Sequence, residues 1–161
     1  MNDFIKLMLK LLPQATGETL YMVFFSTLVA ILIGGPIGIL LITSEKGGIQ
    51  EHIYLNQILS FIVNIGRSFP FSILMVAIIP LTRFIVGTSL GTTASIVPLS
   101  IAAIPFVARI IESSLKELDK GIIEASQAMG ATTWQIIYKV LVPEAMPGIV
   151  LGLTLTIINL I

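Results

Sequence analysis

Charged residues are so sparse along this chain that the gaps between them read as spans. Thr19 to Ser44 carries no charge, Ile53 to Thr82 carries only Arg67, Phe84 to Ala108 carries none, and Ala145 to Ile161 carries none. A helix needs about 20 mostly apolar residues to cross hydrocarbon, so four membrane helices are predicted, the fourth running to the last residue. Ahead of them, residues 1–16 are expected to form a short helix lying in the membrane interface. Lys6 and Lys10 share one face of it, and Phe4, Leu7, Met8 and Leu11 take another. A signal peptide is the competing reading, but the next apolar run is too long for a signal core and has no clear small-residue cleavage site.

Several positions inside the spans stand out. Gly34 and Gly38 have the GxxxG spacing that lets helices approach closely; the plainer expectation is a packed helix kinked at Pro36. Glu45, Lys46, Gly47, Gly48 and Glu51 mark a short solvated turn. In the second span Arg67 stands close to Pro70. A charge in mid-membrane costs at least about 2.5 kcal/mol and should face a bundle interior or water, and proline removes a backbone hydrogen bond and favours a break. Asn64, Arg67 and Pro70 are therefore candidates for a translocation path, with Arg67 snorkelling from a shifted span as the alternative. The stretch "TRFIVGTSLGTT", from Thr82, reads as a loop or re-entrant turn. Pro98 and Pro105 fall on about the same face of the third span, and Arg109 and Glu112 are expected to mark its exit into the headgroups.

Composition agrees with a membrane class. Of 161 residues, 55% are hydrophobic and 11% charged, against about a quarter charged in soluble domains, and the mean hydropathy is +1.01. The net charge of zero gives no footprint for nucleic acid. Without cysteine there are no disulfides or thiolate metal sites. Lys46, Lys116, Lys120 and Lys139 would share one side of the membrane, against Lys6, Lys10 and Arg83 on the other, and the positive-inside rule makes the first group cytoplasmic. Catalysis finds little support: the only aspartates, Asp3 and Asp119, lie outside the spans, and His52 has no matching serine pattern.

Between the third and fourth spans lies "EASQAMGATTWQIIYKVLVPEAMP", beginning at Glu124. Gly121 to Met129 is rich in helix formers. Gly130 is placed to end that helix in the left-handed conformation, Thr132 and Gln135 form a T-x-x-Q capping box, and Trp134, Ile137, Tyr138 and Leu141 recur as one apolar helix face. Pro143 and Pro147 punctuate the return to the fourth span. An ordered connection of about 25 residues is more often functional than filler. It could rest on the membrane surface. It could be a DNA-binding helix-turn-helix, but its second helix offers only Lys139 where phosphate binding needs several cations. Or it could dock a cytoplasmic partner through Trp134 and Tyr138.

The same stretch resembles the E-A-A-x3-G-x9-I-x-L-P signature of the membrane subunits of ATP-binding-cassette importers. Glu124-Ala125-Ser126 stands for E-A-A, Gly130 falls at the expected spacing, Val140 and Val142 replace I and L, and Pro143 closes the motif. Over nearly the whole chain the sequence is similar to the methionine-importer permeases. The resemblance implies an all-α, polytopic type I importer fold over residues 17–161, in which residues 121–142 form a coupling helix pair and Glu124, Ala125, Ser126, Gly130, Trp134 and Pro143 meet a separate cytoplasmic ATPase. It also implies a second permease copy, an extracytoplasmic binding protein, lipid around the bundle, and a bacterial cytoplasmic membrane. ATP and Mg belong to the ATPase; this chain has no G-x4-GK[ST] loop and no cofactor is expected in it. The family has a fifth membrane helix that four spans leave unaccounted for, so an incomplete permease is expected. Import of another amino acid or small solute, or a non-transporting scaffold or channel that docks a partner, are the alternatives.

Overall fold

The computed structural model describes the backbone of residues 2–161 and the side chains of residue 9 and residues 11–161. The two-faced helix expected over residues 1–16 rests mostly on side chains outside that range. Among the described residues there is no strand, as the all-α expectation requires. The chain runs through α1 (Asn2–Ser44), α2 (Ile53–Ser68), α3 (Phe71–Ala77), α4 (Ile79–Val86), α5 (Thr92–Lys116), α6 (Lys120–Ala128), α7 (Thr133–Ile136), a π-helical turn (Ile137–Leu141) and α8 (Val142–Leu160). Leu11–Ser44, Thr92–Lys116 and Thr133–Leu160 are each long and apolar enough to cross a membrane. At 1.5 Å per residue, the 25 residues of α5 reach about 37 Å, enough for a hydrocarbon core of about 30 Å.

The second predicted span is not one rod. α2 and α3 meet at a bend of 103° and make a fourth crossing only if taken together. The break sits where Pro70 predicts it. Proline pushes the residue before it out of the helical region, and Phe69 is extended at φ −76°, ψ 129°. The loop expected from Thr82 is mostly helix instead. Pro80 occupies the first turn of α4, where no donor is needed, and Gly87 closes it at φ 82° with its N–H on the Arg83 carbonyl. Only residues 87–91 remain as connection.

The core is built on α1 against α5. Gly34 and Gly38 face α5 so closely that a Cβ on Gly34 would lie 2.7 Å from the Ile104 carbonyl oxygen, and one on Gly38 would lie 2.5 Å from that of Ala108. The GxxxG pair is thus a backbone-to-backbone seam, and α1 continues through Pro13 and Pro36 without interruption. Ala30, Ala103, Val107 and Ile111 fill that seam and merge with Ile136, Ile137, Leu141, Ala145 and Ile149 in a single cluster. At the end of α1, Asn56 Nδ2 donates to the Leu41 carbonyl (2.6 Å), fastening the start of α2 to it.

Arg109 and Glu112, expected at the exit of the third span, pair with each other on α5, which runs on to Lys116, and Glu112 is only 8% exposed. Arg109 Nη1 donates to Glu112 Oε2 (2.5 Å) and Nη2 to Asn64 Oδ1 on α2 (2.6 Å). The guanidinium is therefore a brace from α5 to α2. A chain-local reading could not see it, because Asn64 is 45 residues away.

These contacts set the cost of particular substitutions. Gly38→Ala should destabilise the fold by about 1–3 kcal/mol, the usual cost of overpacking. Gly35→Ala, whose Cβ would meet only Ile111 Cδ1 at 3.7 Å, should stay within about 0.5 kcal/mol; thermal melts in detergent compare the pair. Glu112→Ala, which strands the half-buried Arg109 charge, should cost about 3 kcal/mol, and adding Arg109→Met to it should recover part of that loss in the same melts.

Candidate functional site

The helix–glycine–helix element between α5 and α8 is built by local capping. Asp119 accepts from the Gly121 N–H (2.8 Å) and starts α6. At the other end the Ala131 N–H bonds the Ser126 carbonyl (3.1 Å) and the Gly130 N–H bonds that of Gln127 (2.9 Å). This crossed pair is a Schellman motif. It requires a left-handed residue at Gly130, whose φ is 78°. Thr132 and Gln135 then exchange both bonds of the capping box: the Thr132 N–H donates to Gln135 Oε1 (2.9 Å), and the Gln135 N–H donates to Thr132 Oγ1 (3.4 Å). Corner and cap stand at the residues the sequence indicates.

Beyond the corner the structure departs from expectation. α7, the π turn and α8 form one continuous helix, Thr133–Leu160, which neither Pro143 nor Pro147 interrupts. Proline lacks an N–H and its ring crowds the carbonyl four residues back. A wider i→i+5 turn just upstream absorbs this: the Val142 N–H bonds the Ile137 carbonyl, five residues earlier. The second helix of the expected pair is therefore the first turns of a membrane-length helix.

The four apolar residues also divide. Ile137 and Leu141 are buried, with Ile136 and Ser126 beside them, whereas Trp134 is 75% and Tyr138 74% exposed, and Met129 at the corner 81%. The inner face belongs to the cluster that also holds Val107 and Ile111. The outer face presents two aromatics and a methionine. Glu124 and Ala125 are exposed and Ser126 is turned inward, its Oγ donating to the Ile122 carbonyl (2.7 Å). Glu124 lines a hollow of about 240 Å³ with Lys46, Lys116 and Lys120. Among the described residues its carboxylate has no ion-pair partner, whereas Lys116 is paired with Glu45 (2.5 Å). Pro143 is exposed at the start of α8.

The second candidate group lies on α2. Asn64 and Arg67, one helical turn apart, both reach α5: Asn64 accepts from Arg109, and the Arg67 guanidinium stands over the Phe106 ring at 5.3 Å. Gly66 between them lies so near Pro105 that a Cβ would come within 2.6 Å of its Cγ. Pro70 lies past the break and caps α3. Arg109 is the residue that sequence reasoning missed here. The i,i+3 spacing of Arg109 and Glu112, matching that of Asn64 and Arg67, is the signal that could have found it. Among the described residues no group of acids and histidine is arranged to hold a metal.

Known proteins are similar to this chain in sequence and fold. A family model described as "Binding-protein-dependent transport system inner membrane component" matches residues 34–161. The probable D-methionine transport system permease protein MetI of Vibrio cholerae is 56% identical over 151 residues, covering 94% of this chain and 67% of that protein. The D-methionine transport system permease protein MetI of Escherichia coli K12 is 51% identical over 154 residues, covering 96% and 71%. A solved structure titled as an inward-facing conformation of the MetNI methionine ABC transporter superposes with a TM-score of 0.93 at 51% identity, covering 95% of this chain and 71% of that one. With a family model spanning most of its length and relatives above half identity, the chain belongs to the family of binding-protein-dependent transport system inner membrane components.

Proposed function

We propose that this chain is the permease subunit of an ATP-driven importer that carries methionine across the bacterial cytoplasmic membrane by alternating access. The observation that carries the coupling half of this reading is the corner at Gly130. An exposed surface of Met129, Trp134 and Tyr138 is held by two interlocking caps, and its inner face is packed into the core shared by α1, α5 and α8. Residues 121–142 then act as the coupling element. Trp134 and Tyr138 are anchors of the kind enriched at binding hot spots, and Glu124 supplies orientation more than affinity. The methionine half rests on the relatives named for D-methionine transport at 51–56% identity.

In the assembly we infer, two permease copies meet two ATPases, and a binding protein delivers substrate from outside. ATP and Mg act on the ATPase. Closure of the ATPase pair moves the coupling element. Because that element continues into α8 without a break, its displacement is passed directly to a membrane helix. The path past Asn64, Arg67 and Pro70, where α2 breaks and turns, is where the substrate crosses.

Co-purification with the cognate ATPase in detergent tests the coupling role. The unaltered permease should retain the ATPase. Gly130→Pro, which cannot adopt a positive φ, and Glu124→Lys should each lose at least about tenfold of it, with the circular dichroism of the permease unchanged. Equal retention by both variants would remove the coupling role. Uptake of labelled methionine by the complex in proteoliposomes tests the substrate, and ATP-driven uptake of a different solute with none of methionine would contradict it.

A further inference from the structure

A groove of about 320 Å³ runs between α2, α5 and α8. One wall consists of Phe106, Arg109, Ile110, Ser113 and Ser114 of α5 and Glu117 that caps it, spaced by three and four residues along one helix face. Opposite, Gly148 and Gly152 let α8 approach Ser114 and Ile110: a Cβ on Gly152 would lie 2.3 Å from Ile110 Cγ2, and one on Gly148 would crowd Ser114 at 3.0 Å. That leaves Leu151 and Leu155 as the apolar lining of the α8 side.

Three charges face this groove, and they are not equivalent. Arg109 is answered by Glu112 and by Asn64. Glu117, just past the end of α5, stands eleven residues from Phe106, about 16 Å along the axis, at the far end. Arg67 has neither a carboxylate nor a hydrogen-bond acceptor among the described residues; its contact is the face of Phe106. A cation held over an aromatic face is attracted by the ring without spending a hydrogen bond, which leaves the fork of N–H donors open to a carboxylate. Gly66, fitted against Pro105, holds the α2 backbone to α5 at this level, so the exposed Arg67 is presented beside Phe106 just before the break at Phe69 and Pro70.

We infer that Arg67 is the substrate-carboxylate residue of the translocation path: its guanidinium receives the α-carboxylate of an apolar amino acid whose side chain lies along Ile110, Leu151 and Leu155. This rests on the methionine-importer reading and assigns it a specificity residue. Cation at one end and apolar walls beyond suit an uncharged side chain on a free carboxylate, and would not retain a substrate lacking that charge. Arg109, already neutralised, acts as a positioning residue that keeps α2 at the distance Arg67 needs.

The chain has no cysteine, so Arg67→Cys supplies the permease with a single addressable thiol. In proteoliposomes holding the full complex with its ATPase and binding protein, labelled methionine uptake by Arg67→Cys should fall at least about tenfold. Methanethiosulfonate reagents of equal length then attach an ammonium, a hydroxyl or a sulfonate, with the unaltered permease complex treated in parallel. The ammonium adduct should recover uptake severalfold and the other two should not, while melting temperature and ATPase retention stay the same across adducts. Arg67→Lys should likewise exceed Arg67→Gln in uptake. Wild-type uptake by Arg67→Cys, equal recovery by hydroxyl and ammonium, or uptake that simply tracks melting temperature would overturn the assignment. If the unaltered complex moves a different carboxylated solute, the methionine reading falls and the adduct comparison is read on that solute. If it moves only solutes without a carboxylate, the Arg67 assignment falls too.

Discussion

Two glycines one helical turn apart seat α1 against α5 with no room for a side chain between the backbones. Gly34 and Gly38 bring the backbone of α1 against the carbonyls of Ile104 and Ala108 on α5, where any side chain would intrude. In lipid there is no hydrophobic gain in joining apolar helices, so close backbone approach and the dispersion it permits are what hold them together. With α1 locked to α5, the small residues Ala30 and Ala103 can be fully enclosed. α5 then offers its remaining surface to α2 through Arg109 and to α8 through Gly148 and Gly152.

The helix–glycine–helix element at Gly130 inherits its rigidity from that seam. Ile136, Ile137 and Leu141 belong to the same cluster as Val107 and Ile111, so the outer aromatics cannot shift without shifting the core beneath them. Capping stiffens the corner itself: the Schellman bonds at Gly130 satisfy carbonyls at the end of α6, and the box at Thr132 satisfies N–H groups at the start of α7. Both properties suit an element that transmits force. The π turn before Pro143 lets the joint and the membrane helix be one piece despite a proline in between.

Much of this is legible in the sequence because its causes are local. A glycine after a run of helix formers, succeeded by T-x-x-Q, fixes corner and cap within a few residues, and Pro70 breaks α2 through its effect on Phe69 alone. Features that depend on distant parts of the chain are not legible. The stripe of Trp134, Ile137, Tyr138 and Leu141 reads as one face, yet only the presence of α5 decides that Ile137 and Leu141 turn inward while Trp134 and Tyr138 stay out. The bond from Arg109 to Asn64 joins residues far apart in sequence and leaves no local signal. α4 escapes the sequence for a different reason. Its start at Pro80 and its stop at Gly87 are visible, but the threonines and glycines beyond Gly87 draw the expected loop too far back.

Contact with the ATPase through residues 121–142 is the point on which the functional reading turns. Amide hydrogen exchange on the permease, alone and bound to its ATPase, addresses it directly. Slower exchange confined to residues 120–138 in the complex, with the turn at residues 44–52 and α2 unchanged, is the predicted result. Unaltered exchange across residues 120–138 in a complex that demonstrably contains the ATPase would contradict it.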